Sequence, residues 1–107
     1  MDTNQKMDLM LCRDALDRYR DIENALERGS IGYAKDRLKD LKSFLTRQTQ
    51  HTAFRNAGAY LPKSTANPAG WKFELAYSMD PIERYLHKLE AELAEETGTS
   101  IPRPTDS

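Results

Sequence analysis

One thiol and two imidazoles are the side chains of this sequence best suited to nucleophilic, acid–base or metal chemistry. Cys12, His51 and His87 are far apart along the chain and show no metal-ligand spacing. His87 follows Glu83 by four residues, a spacing typical of an exposed ion pair on one helix. The segment 29–32, Gly-Ser-Ile-Gly, lacks the preceding strand and the lysine of a phosphate-binding loop. We therefore expect no catalytic residue, no metal and no cofactor, and a protein that is not an enzyme.

Charge is distributed unevenly along the chain, although its net value is only −1. Residues 31–72 carry 8 basic and 2 acidic side chains, a net charge of +6, whereas residues 73–107 carry 3 and 8, a net charge of −5. Two explanations of this charge distribution stay open. Either a basic second helix lies beside an acidic third helix within the fold, or the basic segment faces an external anionic partner.

Phosphate binding is the chemistry that the basic segment makes available. Lys35, Lys39 and Lys42 fall on one flank of a predicted helix, and Arg47 and Arg55 extend the positive charge beyond it. Such a row neutralises phosphates along a nucleic-acid backbone. A domain that binds nucleic acid well is usually basic overall, and no helix-turn-helix pattern is evident. We therefore rank a weak nucleic-acid-binding regulator as the alternative function.

The elements that must position these side chains begin with a helical hairpin. Gly29 favours the left-handed conformation that ends one helix, and the Ser30 side chain favours the cap of the next. Apolar residues on either side form mirrored pairs whose numbers add to 60, as expected for two antiparallel helices. These pairs are Leu26 with Ala34, Ile22 with Leu38, Tyr19 with Leu41, and Ala15 with Leu45.

An all-α fold follows from these patterns, in which the hairpin and a C-terminal helix form a small three-helix bundle. We predict one domain over residues 1–98 and a disordered tail over residues 99–107. Asp2 with Gln5 indicates a capping box at the start of the first helix. The predicted elements are a helix at 4–28, a helix at 31–52, a loop at 56–70, and a helix at 81–97 capped by Asp80 with Pro81 in its first turn.

The conformation of residues 71–77 stays open between two patterns. Apolar and non-apolar residues nearly alternate there, and this period of two favours a short extended segment. The competing pattern is a helix capped by Asn67 with Pro68 in its first turn. That helix would pair Trp71 with Leu75 and Phe73 with Tyr77. We favour the extended segment, although a lone strand has no partner elsewhere in the chain.

Several large apolar residues exceed what the predicted core requires, and this favours a surface for another protein. For Leu9 and Leu16, which lie off the apolar stripe of the first helix, packing within the monomer is the other explanation. The predicted partner-binding residues are Leu9, Leu16, Tyr33, Phe44, Tyr60 and Trp71. We therefore predict a small protein-binding module of the accessory, regulatory or inhibitor kind, such as bacteria and phages make, and we include self-association into a homo-oligomer.

The compartment is predicted from what the sequence lacks. No apolar run approaches the ~18 residues that a membrane span requires, so no membrane partner is expected. The N-terminus has no basic-then-apolar signal pattern, and a single cysteine fits a reducing compartment. We expect a cytoplasmic protein.

Overall fold

A computed structural model of the chain describes residues 2–48, 51–63 and 67–97. Within those ranges the protein is all-helical, which confirms the predicted fold class. The elements are α1 Thr3–Glu27, α2 Ile31–Thr46, α3 Thr52–Tyr60 and α4 Trp71–Thr97, with a 3₁₀ turn at Pro68–Gly70 before α4. The described ranges thus contain four α-helices, so the predicted count of three is wrong. The predicted disordered tail, residues 99–107, lies outside the described residues.

Local signals at both ends of α1 act as the sequence predicts. Asp2 Oδ1 accepts the Gln5 backbone N–H at 2.8 Å, and Gln5 Oε1 accepts the Asp2 N–H at 3.2 Å, which completes the capping box. Gly29 has a φ of +75°, and the N–H groups of Gly29 and Ser30 donate to carbonyls of the last turn of α1. This pair of bonds is the Schellman motif that ends helices at glycine. Ser30 precedes α2, but its side chain makes no capping hydrogen bond, and that part of the prediction is wrong.

The register between α1 and α2 also follows the mirrored pattern. Seven of its eight residues are buried, and Leu26 packs against the core. Arg18 Nε donates to Asp40 Oδ2 at 3.3 Å, and the Tyr33 hydroxyl donates to Asp21 Oδ2 at 2.9 Å. These contacts join residues at matching distances from the turn, so the two helices lie antiparallel.

The second helix ends earlier than its predicted range, 31–52. α2 stops at Thr46, because the polar residues that follow offer no apolar side chain to continue its buried stripe. The chain then folds back, and Gly58 of α3 comes close to Leu45. A Cβ added to Gly58 would lie 3.6 Å from the Leu45 Cβ, so the small residue permits a close approach of the two helices.

A third helix occupies part of the predicted loop over 56–70. α3 begins after His51, whose Nδ1 accepts the N–H of the second helical residue at 3.0 Å. Phe54 and Ala57 are fully buried, since α3 turns its apolar side toward the bundle. The loop prediction is therefore wrong as far as Tyr60, where α3 ends.

The C-terminal helix begins at Trp71, well before the predicted range 81–97. Asn67 caps the 3₁₀ turn by accepting a backbone N–H at 3.1 Å, and Pro68 occupies the first position of that turn. The prediction of an extended segment at 71–77 is therefore wrong. The competing helical pattern is the one that the chain adopts.

Pro81 lies inside α4 instead of opening it. Asp80 does not cap a helix; its Oδ2 pairs with Arg84 Nε at 2.8 Å, one turn later. A proline in a helix interior removes one backbone hydrogen bond. Continuous burial on both sides of the proline offsets this loss. The buried residues that run through it are Trp71, Leu75, Met79, Ile82, Leu86 and Leu89.

Each helix packs against two others, α1 on α2 and α4, and α3 on α2 and α4. One buried cluster draws residues from all four helices. The radius of gyration is 15.9 Å, against ~13 Å for a compact domain of this length. With extents of 51 × 28 × 17 Å, the bundle is flat and elongated, so the outer faces of its long helices stay uncovered.

Candidate protein-interaction surface

Of the three side chains best suited to catalysis, Cys12 and His51 contribute to the fold. Cys12 is fully buried, and burial, followed by the nearby Asp8 carboxylate, raises the pKa of its thiol to about 12. A thiol that keeps its proton at neutral pH is a poor nucleophile. His87 is exposed on α4, and His51 uses its Nδ1 to cap α3. The described residues contain no group of three His, Cys, Asp or Glu side chains that could hold a metal ion.

A partly buried cluster around Tyr85 joins α1, α3 and α4. The Tyr85 hydroxyl donates to Asp8 Oδ2 at 2.5 Å, and the His51 ring stacks on the Tyr85 ring with 3.7 Å between centroids. Phe54 meets the same ring edge-on at 6.3 Å. Burial, and then the hydrogen bond to Asp8, raise the pKa of Tyr85 above its usual range. The cluster ties the short helix α3 to its neighbours, which is a structural role.

Four of the six predicted partner-binding residues lie in the core and offer no surface to a partner. Leu9, Leu16, Phe44 and Trp71 expose only 6, 5, 6 and 0% of their surface. For the two leucines, packing within the monomer is the explanation that the structure supports. Leu16 turns toward α4, where it lines the same shallow depression as Leu86. Trp71 is buried because α4 starts there and turns its first residue inward.

Tyr33 and Phe44, the two predicted partner-binding residues on α2, make most of their contacts within the hairpin. The Arg18 guanidinium lies 4.1 Å from the centroid of the Phe44 ring, a cation–π contact that covers it. Tyr33 is exposed, but its hydroxyl is bonded to Asp21 and the Arg37 guanidinium lies 5.6 Å from its ring. These two side chains therefore offer less free aromatic surface than the sequence indicates.

Tyr60, the last of the six, is exposed beside two aromatic residues that were not among the predicted partner-binding residues. We call Tyr60, Phe73 and Tyr77 the aromatic surface; they expose 55, 79 and 67% of their area. The Tyr60 and Tyr77 rings meet edge to face with centroids 5.5 Å apart. Phe73 precedes Tyr77 by about one helical turn on α4. Neighbouring exposed rings of this size are typical of a surface that another molecule covers.

The signal for Phe73 and Tyr77 was present in the sequence. In the helical pattern for residues 71–77, these two side chains are four residues apart and off the buried stripe. An aromatic pair on the outer side of an amphipathic helix indicates a contact surface. The preference for an extended segment concealed this pair.

A cleft of about 660 Å³ opens at the turn end of the hairpin, where α1, α2 and the start of α4 meet. Its apolar lining consists of Leu26, Ile31, Pro68 and Ala69. Its charged residues are Glu23, Glu27, Lys35 and Lys72. The apolar lining suits a side chain of a partner, whereas the balanced charges select neither an anion nor a cation.

The five predicted nucleic-acid-binding residues are all at least partly exposed: Lys35, Lys39, Lys42, Arg47 and Arg55. We call the three lysines the lysine row. None of them forms an ion pair with another described residue. The acidic end of α4 turns to α1 instead, since Glu90 accepts from Arg13 at 3.3 Å and Glu92 from Gln5 at 3.1 Å. Within the described ranges, internal ion pairing does not account for the lysine row.

Comparison with protein-family models, curated proteins and solved structures finds no significant match to this chain. Among the described helices, none combines the length and the apolar character needed to cross a membrane.

Proposed function

We propose that this chain is a non-enzymatic protein-binding module that holds a partner protein against the aromatic surface. In this proposal it acts in the cytoplasm as an accessory, regulatory or inhibitor protein. One observation carries the proposal. Three neighbouring aromatic side chains, Tyr60, Phe73 and Tyr77, each leave more than half of their area in water.

Phe73, the most exposed of the three rings, lies outside the core. Phe73 lies on the side of α4 opposite the buried Trp71 and Leu75, so it contributes little to folding. Covering apolar area with a partner yields roughly 25 cal/mol per Å². Aromatic residues also concentrate the binding energy of interfaces, where truncating one typically costs ~2 kcal/mol or more. The aromatic surface is thus better explained by binding than by folding.

The surface is held in shape before a partner arrives. Tyr77 packs against Tyr60, and α3, which carries Tyr60, is fixed to the bundle by the cluster around Tyr85. A side chain that is already ordered loses little conformational entropy on binding. The arrangement therefore favours a specific contact between folded surfaces.

Affinity capture from the native cell, with nuclease present, tests the proposal. The baits are the wild-type chain, a Phe73→Ser/Tyr77→Ser variant, and a Met7→Ser/Met10→Ser control. The control removes two apolar side chains of α1 that are 54 and 65% exposed. We expect a protein that wild type and control retain and that the aromatic variant loses. A partner held equally by all three baits would contradict the proposal.

A second candidate function is nucleic-acid binding, and the lysine row favours it because its charges have no ion-pair partner among the described residues. With a net charge of −1, such binding should be weak, non-specific and strongly dependent on salt. The test changes Lys35, Lys39 and Lys42 to Glu together and measures binding to duplex DNA and to RNA at several salt concentrations. Binding that the triple variant keeps would exclude the lysine row as its site.

A further inference from the structure

His51 holds the start of α3 through two contacts of its imidazole ring. Its Nδ1 accepts the backbone N–H of Ala53 at 3.0 Å, which satisfies one of the free donors at the helix N-terminus. Its ring stacks on Tyr85 of α4, with centroids 3.7 Å apart and planes 9° from parallel. A ring nitrogen that accepts a hydrogen bond carries no proton, so the capping ring is neutral and has its proton on Nε2.

We propose that protonation of His51 loosens α3, the helix that carries Tyr60, so that the aromatic surface is less well ordered in acid. An imidazolium ring donates from both nitrogens and has no acceptor, so it cannot cap the helix whichever way the ring is turned. Histidine is the side chain whose charge ordinarily changes between about pH 5 and 8. The inference goes beyond the proposed function, because it can be measured with no partner present.

Two neighbouring helices offer groups that accommodate a positive charge on this ring. On α4, Tyr85 presents its ring face, which attracts a cation, and Glu92 adds a negative charge that acts on the same tyrosine. On α1, Asp8 accepts the hydroxyl hydrogen bond of Tyr85 at 2.5 Å. Cys12 of α1 stays neutral, because burial raises the pKa of its thiol to about 12. The folded protein can therefore take up the proton without expelling the ring.

The start of α3 opposes the same charge. Backbone N–H groups at a helix N-terminus carry a partial positive charge, which repels a cation. The first turn of α3, Thr-Ala-Phe-Arg, contains no acidic side chain to offset it. The flanking charged residues are also positive, Arg47 at the end of α2 and Arg55 in that first turn. Protonation therefore replaces a hydrogen bond at this end of the helix with a repulsion.

α3 is short enough for the loss of one cap to matter. It has nine residues, whereas isolated helices shorter than ~12–15 residues are marginal in water. Loss of an N-cap typically shifts the helix equilibrium about fivefold. Because helix formation is cooperative, opening at His51 extends through α3 to Tyr60, its last residue, which contacts Tyr77. Phe73 and Tyr77 stay in place, since both belong to α4.

Amide hydrogen exchange of the full chain, at about pH 5.5 and pH 7.5, tests the proposal. Protection factors, which correct for the intrinsic effect of pH on exchange, measure how often each helix opens. We expect the protection of the α3 amides to be about fivefold lower at the acidic pH, whereas that of the α1 amides stays the same. The midpoint of this change should coincide with the titration of the His51 ring signals in NMR spectra.

Two substitutions separate the cap from the stacked ring. His51→Asn keeps a capping side chain that does not titrate, and His51→Ala has no cap, while both remove the ring. We expect α3 to be better protected in His51→Asn than in His51→Ala, and neither variant to respond to pH. His87→Asn removes the only other histidine and should keep the wild-type response.

Equal protection of α3 at the two pH values in the wild type would overturn the proposal. A fall of the same size in His51→Asn would overturn it too, because that variant has no titrating cap. A response that His87→Asn abolishes would assign the effect to the other histidine, with the same consequence.

Discussion

Tyr60 and Tyr77 meet edge to face where α3 ends beside α4, with ring centroids 5.5 Å apart and ring planes at 75°. Aromatic pairs prefer this geometry, since the edge of one ring is electropositive and the face of the other electronegative. The contact holds the end of α3 against α4 while both rings keep more than half of their area exposed. Aromatic residues on α4 are therefore divided between a buried side and an outer side.

The two sides should respond differently to truncation. Trp71 is fully buried, so Trp71→Ala should lower the free energy of unfolding by about 3–5 kcal/mol. Phe73 is 79% exposed, so Phe73→Ala should change the free energy of unfolding by no more than about 0.5 kcal/mol. Denaturant unfolding of both variants at a concentration where the chain is monomeric provides the measurement. Equal losses would mean that Phe73 packs into the bundle.

The hairpin turn makes a matched prediction for two glycines. Gly29 has a φ of +75°, which is unfavourable for alanine, so Gly29→Ala should destabilise the protein by about 1 kcal/mol. Gly32 lies within α2, and a Cβ added there would meet no other atom. Gly32→Ala should therefore stabilise the protein by about 0.5 kcal/mol. Thermal melting of the two variants shows whether each substitution raises or lowers the stability of the protein. A stabilising Gly29→Ala would argue against the left-handed turn.

The N-terminal half of the fold was predictable because its signals are local. The Asp2–Gln5 capping box and Gly29 act within one helical turn, and the mirrored apolar pairs need only two adjacent helices. No distant part of the chain has to be known to interpret them. The prediction of Leu16 as a partner-binding residue failed for the opposite reason, because α4, toward which Leu16 turns, comes late in the sequence.

The conformation of residues 71–77 was predicted wrongly because two pairs of residues with helical spacing together resemble the alternating pattern of a strand. Trp71 with Leu75 and Phe73 with Tyr77 each follow helical spacing, but on opposite sides of α4. Taken together, the two pairs place an apolar residue at every second position, which is the pattern of a half-buried strand. Only the helices packed against the inner side distinguish the two patterns, and they are contributed by distant residues. The same limitation concealed part of the aromatic surface.

Pro81 offers a test of the corrected helix. Inside α4 the proline lacks the N–H that would bond to the carbonyl four residues earlier. Pro81→Ala restores that donor and should raise the free energy of unfolding by about 1–3 kcal/mol. Helix content by circular dichroism and the melting temperature should both rise. A loss of stability would indicate that a helix begins at this proline, as first predicted from the sequence.

The buried thiol of Cys12 predicts a loss of stability at alkaline pH. Burial raises its pKa from 9.0 to about 12 in the folded protein. Below pH 9 the folded and unfolded states both keep the proton, and the stabilising effect is fully present. Above that pH the unfolded chain loses the proton first, so the free energy of unfolding falls as pH rises toward 12, by about 1 kcal/mol at pH 10.

Cys12→Ala separates this effect from that of the buried tyrosine nearby on α1. Burial and the neighbouring Glu23 raise the pKa of Tyr19 from 10.0 to about 12, so its contribution is lost only at pH values above 10. Between pH 9 and 10, wild type should lose stability in urea unfolding while Cys12→Ala stays nearly constant. Above pH 10 both proteins should decline, because both retain Tyr19. Parallel profiles from pH 9 to 10 would show that the thiol ionises equally in the folded and unfolded states.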